Sequence, residues 1–353
     1  MTPRRIGVLT FHRCINYGSY WQARCLVEGL RRRGHDAVLL DHRSQQVDRA
    51  EWRCALTPHR PAPTRASDRA AYGRKTRRFL SAIADLPLSR PFNLERPEAM
   101  DPCDVVLVGS DEVWNLRHPW YGGARLFYGA GVPAPRLAAY AASFGNHPAA
   151  DGLDDALRAL LGRFDAISVR DENSRRLVGQ SLGHEPELVL DPCLQFPEVA
   201  TRHVPAARFV VVYGHSFPEW FQAGIRAWAK RRSLPLVSLG YHNDWADAQW
   251  PDAGPEDFPL CIGAAAAVAT TFFHGCVFAL LNGRPFACAA SDYRANKVSS
   301  LVSTLGARRR LLADDASAAD YRAALETEPE PDVIARLADL RERSNVFLDD
   351  VLQ

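Results

Sequence analysis

Short apolar runs recur along the chain, each followed by a polar turn and then by residues whose apolar positions fall three and four apart. Runs at 6–10, 37–41, 104–109, 137–143, 166–170 and 188–192 read as strands. The stretches 20–33, 153–161 and 172–182 read as helices between them. Continuous rather than alternating apolar runs suit strands buried on both faces, and strand–helix alternation implies a parallel sheet. Helix 20–33 shows an apolar face in Trp21, Leu26, Val27 and Leu30 and stops at Gly34, in the position of a C-cap glycine. After a proline-punctuated stretch at 195–207 the rhythm restarts, with strands 209–214, 236–240, 268–271 and 284–288. Helices 218–231, 277–281 and 297–305 alternate with them, and 331–352 is a long amphipathic tail helix.

This pattern predicts an α/β protein of two Rossmann-like domains facing each other across a cleft, with a terminal helix that crosses back. The boundaries expected are 1–198, 199–330 and 331–353. The segment at about 43–100 departs from the rhythm: it is rich in Arg, Pro and Ala and reads as a helical excursion, with helix 70–86 inside it. A length of 353 residues agrees with two cores.

Composition narrows the classes. The hydrophobic fraction of 47% and charged fraction of 24% are those of a globular chain, and a net charge of +2 gives no global field for nucleic acid. No apolar stretch has the length of a membrane span, and 1–11 lacks the apolar core of a signal peptide, so a cytoplasmic location is expected. None of the eight cysteines forms a CxxC pair or a zinc-like spacing with histidines, so no metal is expected.

Candidate chemistry lies in four loops that follow strands, where open parallel sheets bind ligands. In 10–19, Gly18 and Ser19 suit a turn and helix cap, which leaves Asn16 and Tyr17 to meet a ligand. The loop has no GxGxxG, which disfavours a dinucleotide. In 109–115, Asp111 stands beside Trp114 and Asn115, an apolar plate with an amide and a carboxylate. Arg170 closes a strand just before a helix and has the fork that grips carboxylate or phosphate; an ion pair with Asp171 or Glu172 is the other reading. The stretch 270–286 (TTFFHGCVFALLNGRPF) sets His274 and Gly275 where a strand hands over to a helix. Such a histidine serves equally as a cap or as an acid–base group facing an anion. Lys297 stands at the start of a later helix, as a phosphate-binding charge or a solvated lysine.

Taken together, six segments resemble the polysaccharide pyruvyl transferase family. They are 10–23 (TFHRCINYGSYWQA), 108–115 (VGSDEVWN), 140–145 (YAASFG), 168–174 (SVRDENS), Asp191-Pro192, and 273–286 (FHGCVFALLNGRPF). The resemblance runs from 6 to 306 and implies a GT-B-like fold and transfer of a pyruvyl group from phosphoenolpyruvate, as co-substrate, to a sugar or glycan. It implies no further cofactor. It makes His274 the catalytic acid–base group, and Asp111 the catalytic carboxylate that orients an acceptor hydroxyl. Arg170, Lys297, Gly275 and Ser143 then fall on the donor side, and Asn16, Tyr17, Trp114 and Asn115 on the acceptor side. Open alternatives are a nucleotide-sugar donor, for which Glu256 or Asp257 would hold the ribose, a natural-product or peptide acceptor, and a non-catalytic glycan binder.

Overall fold

The protein is described by a computed structural model covering residues 2–58, 63–201, 204–290 and 295–353. It opens on β1 (Arg5–Leu9), α1 (Tyr17–Arg32) and β2 (Asp36–Leu39), then β3 (His42–Arg43), α2 (Gln45–Leu56), α3 (Arg69–Ala84) and β4 (Phe92–Asn93). β5 (Val105–Val108), β6 (Arg136–Ala142), α4 (Asp155–Leu161), β7 (Ala166–Val169), α5 (Glu172–Leu182) and β8 (Glu187–Leu188) follow. Two short helices, α6 (Pro192–Gln195) and α7 (Pro197–Ala200), lead to β9 (Val210–Tyr213), α8 (Glu219–Arg232), β10 (Leu236–Leu239) and β11 (Ala248–Trp250). The rest is α9 (Asp257–Ala264), β12 (Ala267–Thr270), α10 (Phe273–Leu281), β13 (Phe286–Ala289), α11 (Ala295–Thr304), β14 (Leu311–Leu312), α12 (Ala318–Glu326) and α13 (Pro331–Leu352).

Twelve of the described strands form two six-stranded parallel sheets, in the orders β2-β1-β5-β6-β7-β8 and β11-β10-β9-β12-β13-β14, and β3 pairs with β4. β5, β9, β12 and β13 are buried at every position, as parallel strands with helices over both faces must be. The chain divides into two compact units: Met1–Glu51, Ile83–Val199 and Ala338–Gln353 in one, Trp52–Ala82 and Ala200–Leu337 in the other. Each carries its own hydrophobic core, around Val108, Trp114 and Phe127 in the first and Val212, Phe221 and Trp228 in the second.

Two segments leave the sequence order. The end of α13 joins the first unit, where Ser344 Oγ accepts from the Leu190 amide (3.0 Å) and Arg341 Nη2 donates to the Leu194 carbonyl (2.8 Å). α3, which lies between strands of the first sheet in sequence, belongs to the second unit. Its Arg74 and Arg78 pair with Asp252 (2.9 Å) and Asp257 (2.6 Å), and Tyr72 Oη accepts from the His242 amide (3.0 Å).

Several elements lie outside the sequence expectation. β11 is three largely exposed residues at a sheet edge, too short and polar to show a run. α9 is apolar nearly all round, so it lacks the contrast that marks a helix. α12 did carry a signal, the Ser317–Asp320 capping box. The strand expected over 188–192 is cut to Glu187–Leu188, because Pro192 opens α6 with Asp191 as its cap, accepting from the Cys193 amide at 3.0 Å. No described helix is long and apolar enough to cross a membrane.

Candidate functional site

Each sheet has a place where the chain turns from building one side to building the other. In the first it lies between β1 and β5, in the second between β9 and β12. Crevices outside the carboxyl ends of such strands are the ligand sites of open parallel sheets. Of the four loops singled out from sequence, 10–19 and 109–115 follow β1 and β5, and 270–275 follows β12.

In the first unit the ends of β1 and β5 are tied together. Thr10 Oγ1 donates to the Ser110 carbonyl (2.8 Å), and Gln22 Nε2 donates to Thr10 Oγ1 (2.9 Å). Asp111 stands at this junction with φ 79°, a left-handed conformation that Asp tolerates better than most residues. Its Oδ2 accepts from Ser19 Oγ (2.7 Å), and its Oδ1 from the Glu112 amide (2.9 Å) and Arg170 Nη2 (3.0 Å). Arg170 Nη1 donates to Asp191 Oδ2 at 2.7 Å, and the guanidinium side chain is only 2% exposed. Burial opposes its charge, but the carboxylates of Asp111 and Asp191 outweigh it and hold the Arg170 pKa above its ordinary value. Asp171, one of the partners expected from sequence, adds to that electrostatic support, while its carboxylate caps α5 through the Ser174 amide (2.8 Å) and accepts from Ser143 Oγ (2.7 Å). Arg170 is thus the centre of a buried Asp–Arg–Asp triad.

Other expectations from sequence are revised here. Asn16, not Gly18 or Ser19, caps α1: its Oδ1 accepts from the amides of both (2.8 and 3.3 Å), because the helix begins at Tyr17. Tyr17 is fully buried on that first turn. Trp114, expected as an apolar plate on the acceptor side, is a fully buried core side chain: its Nε1 donates to the Phe127 carbonyl (2.7 Å) and its ring packs on Phe144. Asn115 is buried and joins loop to loop, with Nδ2 donating to Glu112 Oε2 (2.7 Å) and Asn146 Oδ1 (3.0 Å). Ser143 is likewise internal, its Oγ also accepting from the Gly145 amide (3.0 Å). The aromatic residues that line this end of the sheet are Phe11, stacked on Tyr121 (4.4 Å, 13°), with half-buried His118 and Trp120 at its margin.

Sequence reading passed over Glu51, in the α2 part of the excursion. Its Oε1 accepts from the Ile15 amide (2.6 Å), which pins α2 to the loop after β1. Burial pushes its carboxyl up to about 7, against the hydrogen bond from the Ile15 amide that pulls it down. A group whose folded pKa lies above its unfolded value of 4.5 favours the fold while protonated. That stability is full below about 4.5 and is lost as pH rises through 7. Between pH 5 and 8 the protein should therefore lose about 1–3 kcal/mol relative to Glu51→Gln, which keeps an acceptor for Ile15 without the charge. Denaturant unfolding of both chains at the two pH values measures this; parallel pH slopes would refute it.

In the second unit the junction is built the same way. Thr270 Oγ1 donates to the Tyr213 carbonyl (2.6 Å), Thr271 Oγ1 to the His215 carbonyl (3.1 Å), and Asn243 Nδ2 to the Gly214 carbonyl (3.0 Å). This knits the ends of β9, β10 and β12 into one surface. His274 lies in the first turn of α10, which starts at Phe273, four residues earlier than expected. It is 8% exposed and edge-on to Phe273. Gly275 is required by packing: a Cβ there would lie 2.1 Å from Thr270 Oγ1, so the helix could not seat on β12. Lys297 is buried in the first turn of α11. A second histidine, His215, follows β9 directly, 8% exposed, with its ring 5.1 Å from Phe272. Its position one residue beyond Gly214, at the end of a buried strand, was the signal that could have found it.

These features define an α/β protein with two Rossmann-like units, the fold class of GT-B enzymes. A solved structure of UDP-GlcNAc 2-epimerase from Methanocaldococcus jannaschii, in complex with UDP-GlcNAc and UDP, shares this fold. Its TM-score is 0.52 at 11% identity over 95% of this chain and 98% of that one. AviGT4, a glycosyltransferase involved in avilamycin A biosynthesis, aligns at 0.46 and 14% identity, covering 99% and 97%. No curated protein matches the chain. The profile of the polysaccharide pyruvyl transferase family matches residues 16–293, and the chain belongs to that family of transferases.

Proposed function

We propose that this enzyme transfers the pyruvyl group of phosphoenolpyruvate to two hydroxyls of a sugar or glycan, closing a cyclic ketal. The observation that carries the reading is the family match across 16–293, which takes in the loops at both sheet junctions. In the reaction a proton adds to the methylene carbon of the enol, which becomes the methyl group and leaves C2 electrophilic. One sugar hydroxyl bonds to C2 and releases its proton. The C2–O bond to phosphate breaks, and a second hydroxyl forms the second C–O bond, also releasing a proton. Of the two protons released, one balances that taken up by the carbon and the other goes to phosphate or solvent.

His274 suits the proton transfer at carbon. An imidazole titrates near neutrality, and this one sits at the carboxyl end of β12 on the first turn of a helix. Lys297 is the cation of that unit proposed to meet the anionic donor. The buried triad gives Arg170 and Asp111 a different part: together they hold the loops after β5 and β7 in register, which shapes the surface the acceptor meets. Asp257, a candidate for gripping a nucleotide's ribose, instead pairs with Arg78 (2.6 Å) and accepts from the Gly254 amide (2.7 Å).

Titration calorimetry with phosphoenolpyruvate and with UDP-sugars tests the donor. Binding of phosphoenolpyruvate with little or no affinity for UDP-sugars is expected. The reverse order of affinities would replace this reading with a nucleotide-sugar transferase.

A further inference from the structure

In the proposed reaction each attacking hydroxyl gives up a proton. Asp111, the carboxylate expected to receive it, is committed to Arg170, Ser19 and the Glu112 amide. Glu51 is a second carboxylate at the same end of the first sheet. Its Oε1 accepts from the Ile15 amide (2.6 Å), which brings this α2 side chain over the loop after β1. The residue is half-buried, so part of it still reaches the surface. The indole of Trp120 lies beside the carboxyl, and Tyr121 lies near it, both from the segment after β5. Trp120 is itself half-buried and stands edge-on to His118 at 5.6 Å, while Tyr121 stacks on Phe11. The carboxyl thus sits where the chain leaving β1 meets the chain leaving β5, at the aromatic margin of that junction.

An aromatic face beside a polar group that can fix orientation is the composition of a small-molecule subsite, and it suits a sugar, which offers an apolar ring face and hydroxyls at its edge. A base works best when its pKa lies near the working pH, and a carboxyl lifted to about 7 by burial meets that condition. Of the titratable and charged groups around it, Asp48 on its own helix adds to the upward push. Cys14 comes from the loop after β1, and Tyr121 has its phenol held above its ordinary value by burial, with His118 5.4 Å from that ring. Arg13 of the same loop pairs with Asp41 (2.8 Å). We propose that Glu51 is the acceptor-side base, holding one hydroxyl of a sugar whose ring lies against Trp120 and taking its proton. The O–H bond breaks towards the carboxylate, and its electron pair goes into the new bond to C2. The proton then leaves for phosphate or solvent, as the overall balance requires. This deepens the pyruvyl-transfer reading and rests on it for the reaction, but not for the presence of a sugar subsite.

The test compares the full chain with Glu51→Gln, which keeps an acceptor for the Ile15 amide. Phosphate release from phosphoenolpyruvate is followed with a panel of hexoses and hexosamines between about pH 5 and 8. Glu51→Gln should lower turnover about 100-fold or more, with affinity for phosphoenolpyruvate unchanged by calorimetry. The wild type should gain turnover as pH rises through about 7, where the carboxyl ionises, and the variant should lose that limb. A side chain that only held the loop in place would leave the limb intact. A second measurement uses the unaltered chain: a water-soluble carbodiimide with an amine should label Glu51, and a saturating sugar of the panel should slow the labelling, read by mass spectrometry. Equal turnover and the same pH limb in wild type and Glu51→Gln overturn the inference and leave the pyruvyl-transfer reading standing. A wild type that releases no phosphate, while a sugar still protects Glu51, removes that reading and keeps Glu51 at the sugar subsite. Absence of protection by any sugar overturns the inference.

Discussion

Replacing Arg170 with methionine should lower the unfolding free energy by about 3–5 kcal/mol, the range seen when one member of a buried ion pair is removed and its partners stay charged. The guanidinium is 2% exposed, and the carboxylates it separates, Asp111 and Asp191, are 10% and 1% exposed. Neither could recover full hydration once the arginine is gone. The cost comes from two stranded carboxylates more than from lost attraction, so a compensating change should show it. Adding Asp191→Asn to Arg170→Met should recover part of the loss, because an amide is cheaper to bury than a carboxylate. Denaturant midpoints of the single and double variants measure both effects. The exposed pair Arg96–Glu98 is the internal contrast: both its groups stay hydrated, so Arg96→Ala should be nearly silent. A loss for Arg170→Met as small as that for Arg96→Ala would mean the triad is not the buried charge centre it looks to be.

The second large effect is catalytic. Substituting His274 with glutamine should reduce turnover about 10²- to 10⁴-fold, the usual worth of a positioned acid–base group. Affinity for phosphoenolpyruvate should change only a few-fold, because Lys297, the cation proposed to hold the donor, remains. The measurement is release of phosphate from phosphoenolpyruvate in the presence of a panel of hexoses and hexosamines, with donor binding followed separately by calorimetry. Glutamine retains polarity and approximate shape at a site that is 8% exposed, so the fold should survive. Unchanged turnover would remove His274 from the chemistry, and loss of donor affinity with turnover intact at saturation would make it a binding residue instead.

Much of the framework was legible in the chain. The continuous apolar runs at 104–109, 209–214 and 268–271 correspond to β5, β9 and β12, because a strand covered on both faces must be apolar throughout. The loops that follow such strands were identifiable for the same reason, and with them Asp111, Arg170 and His274. The part played by each side chain was not legible. Asn16 could be read equally as a cap or as a ligand contact, since the choice depends on whether α1 starts at Tyr17 or Tyr20, a matter of one helical turn. Trp114 read as an apolar plate for a ligand because nothing local reveals that Phe127 and Phe144, from later segments, pack around it. Glu51 lay in a stretch with no strand rhythm, where charged residues ordinarily face solvent.

By itself the sequence determined the class of fold, the two parallel sheets and the family. These follow from local periodicity and from short motifs in order, which need no knowledge of what packs on what. Only the tertiary structure decided which charges are buried together and which unit each segment serves. Arg170 meets Asp111 and Asp191 across 59 and 21 residues of chain, and Lys75 meets Gly240 across 165. The energy of such contacts depends on desolvation and on distances of a few ångströms, which arise when remote strand ends converge on one sheet edge and are written in no single stretch of the chain.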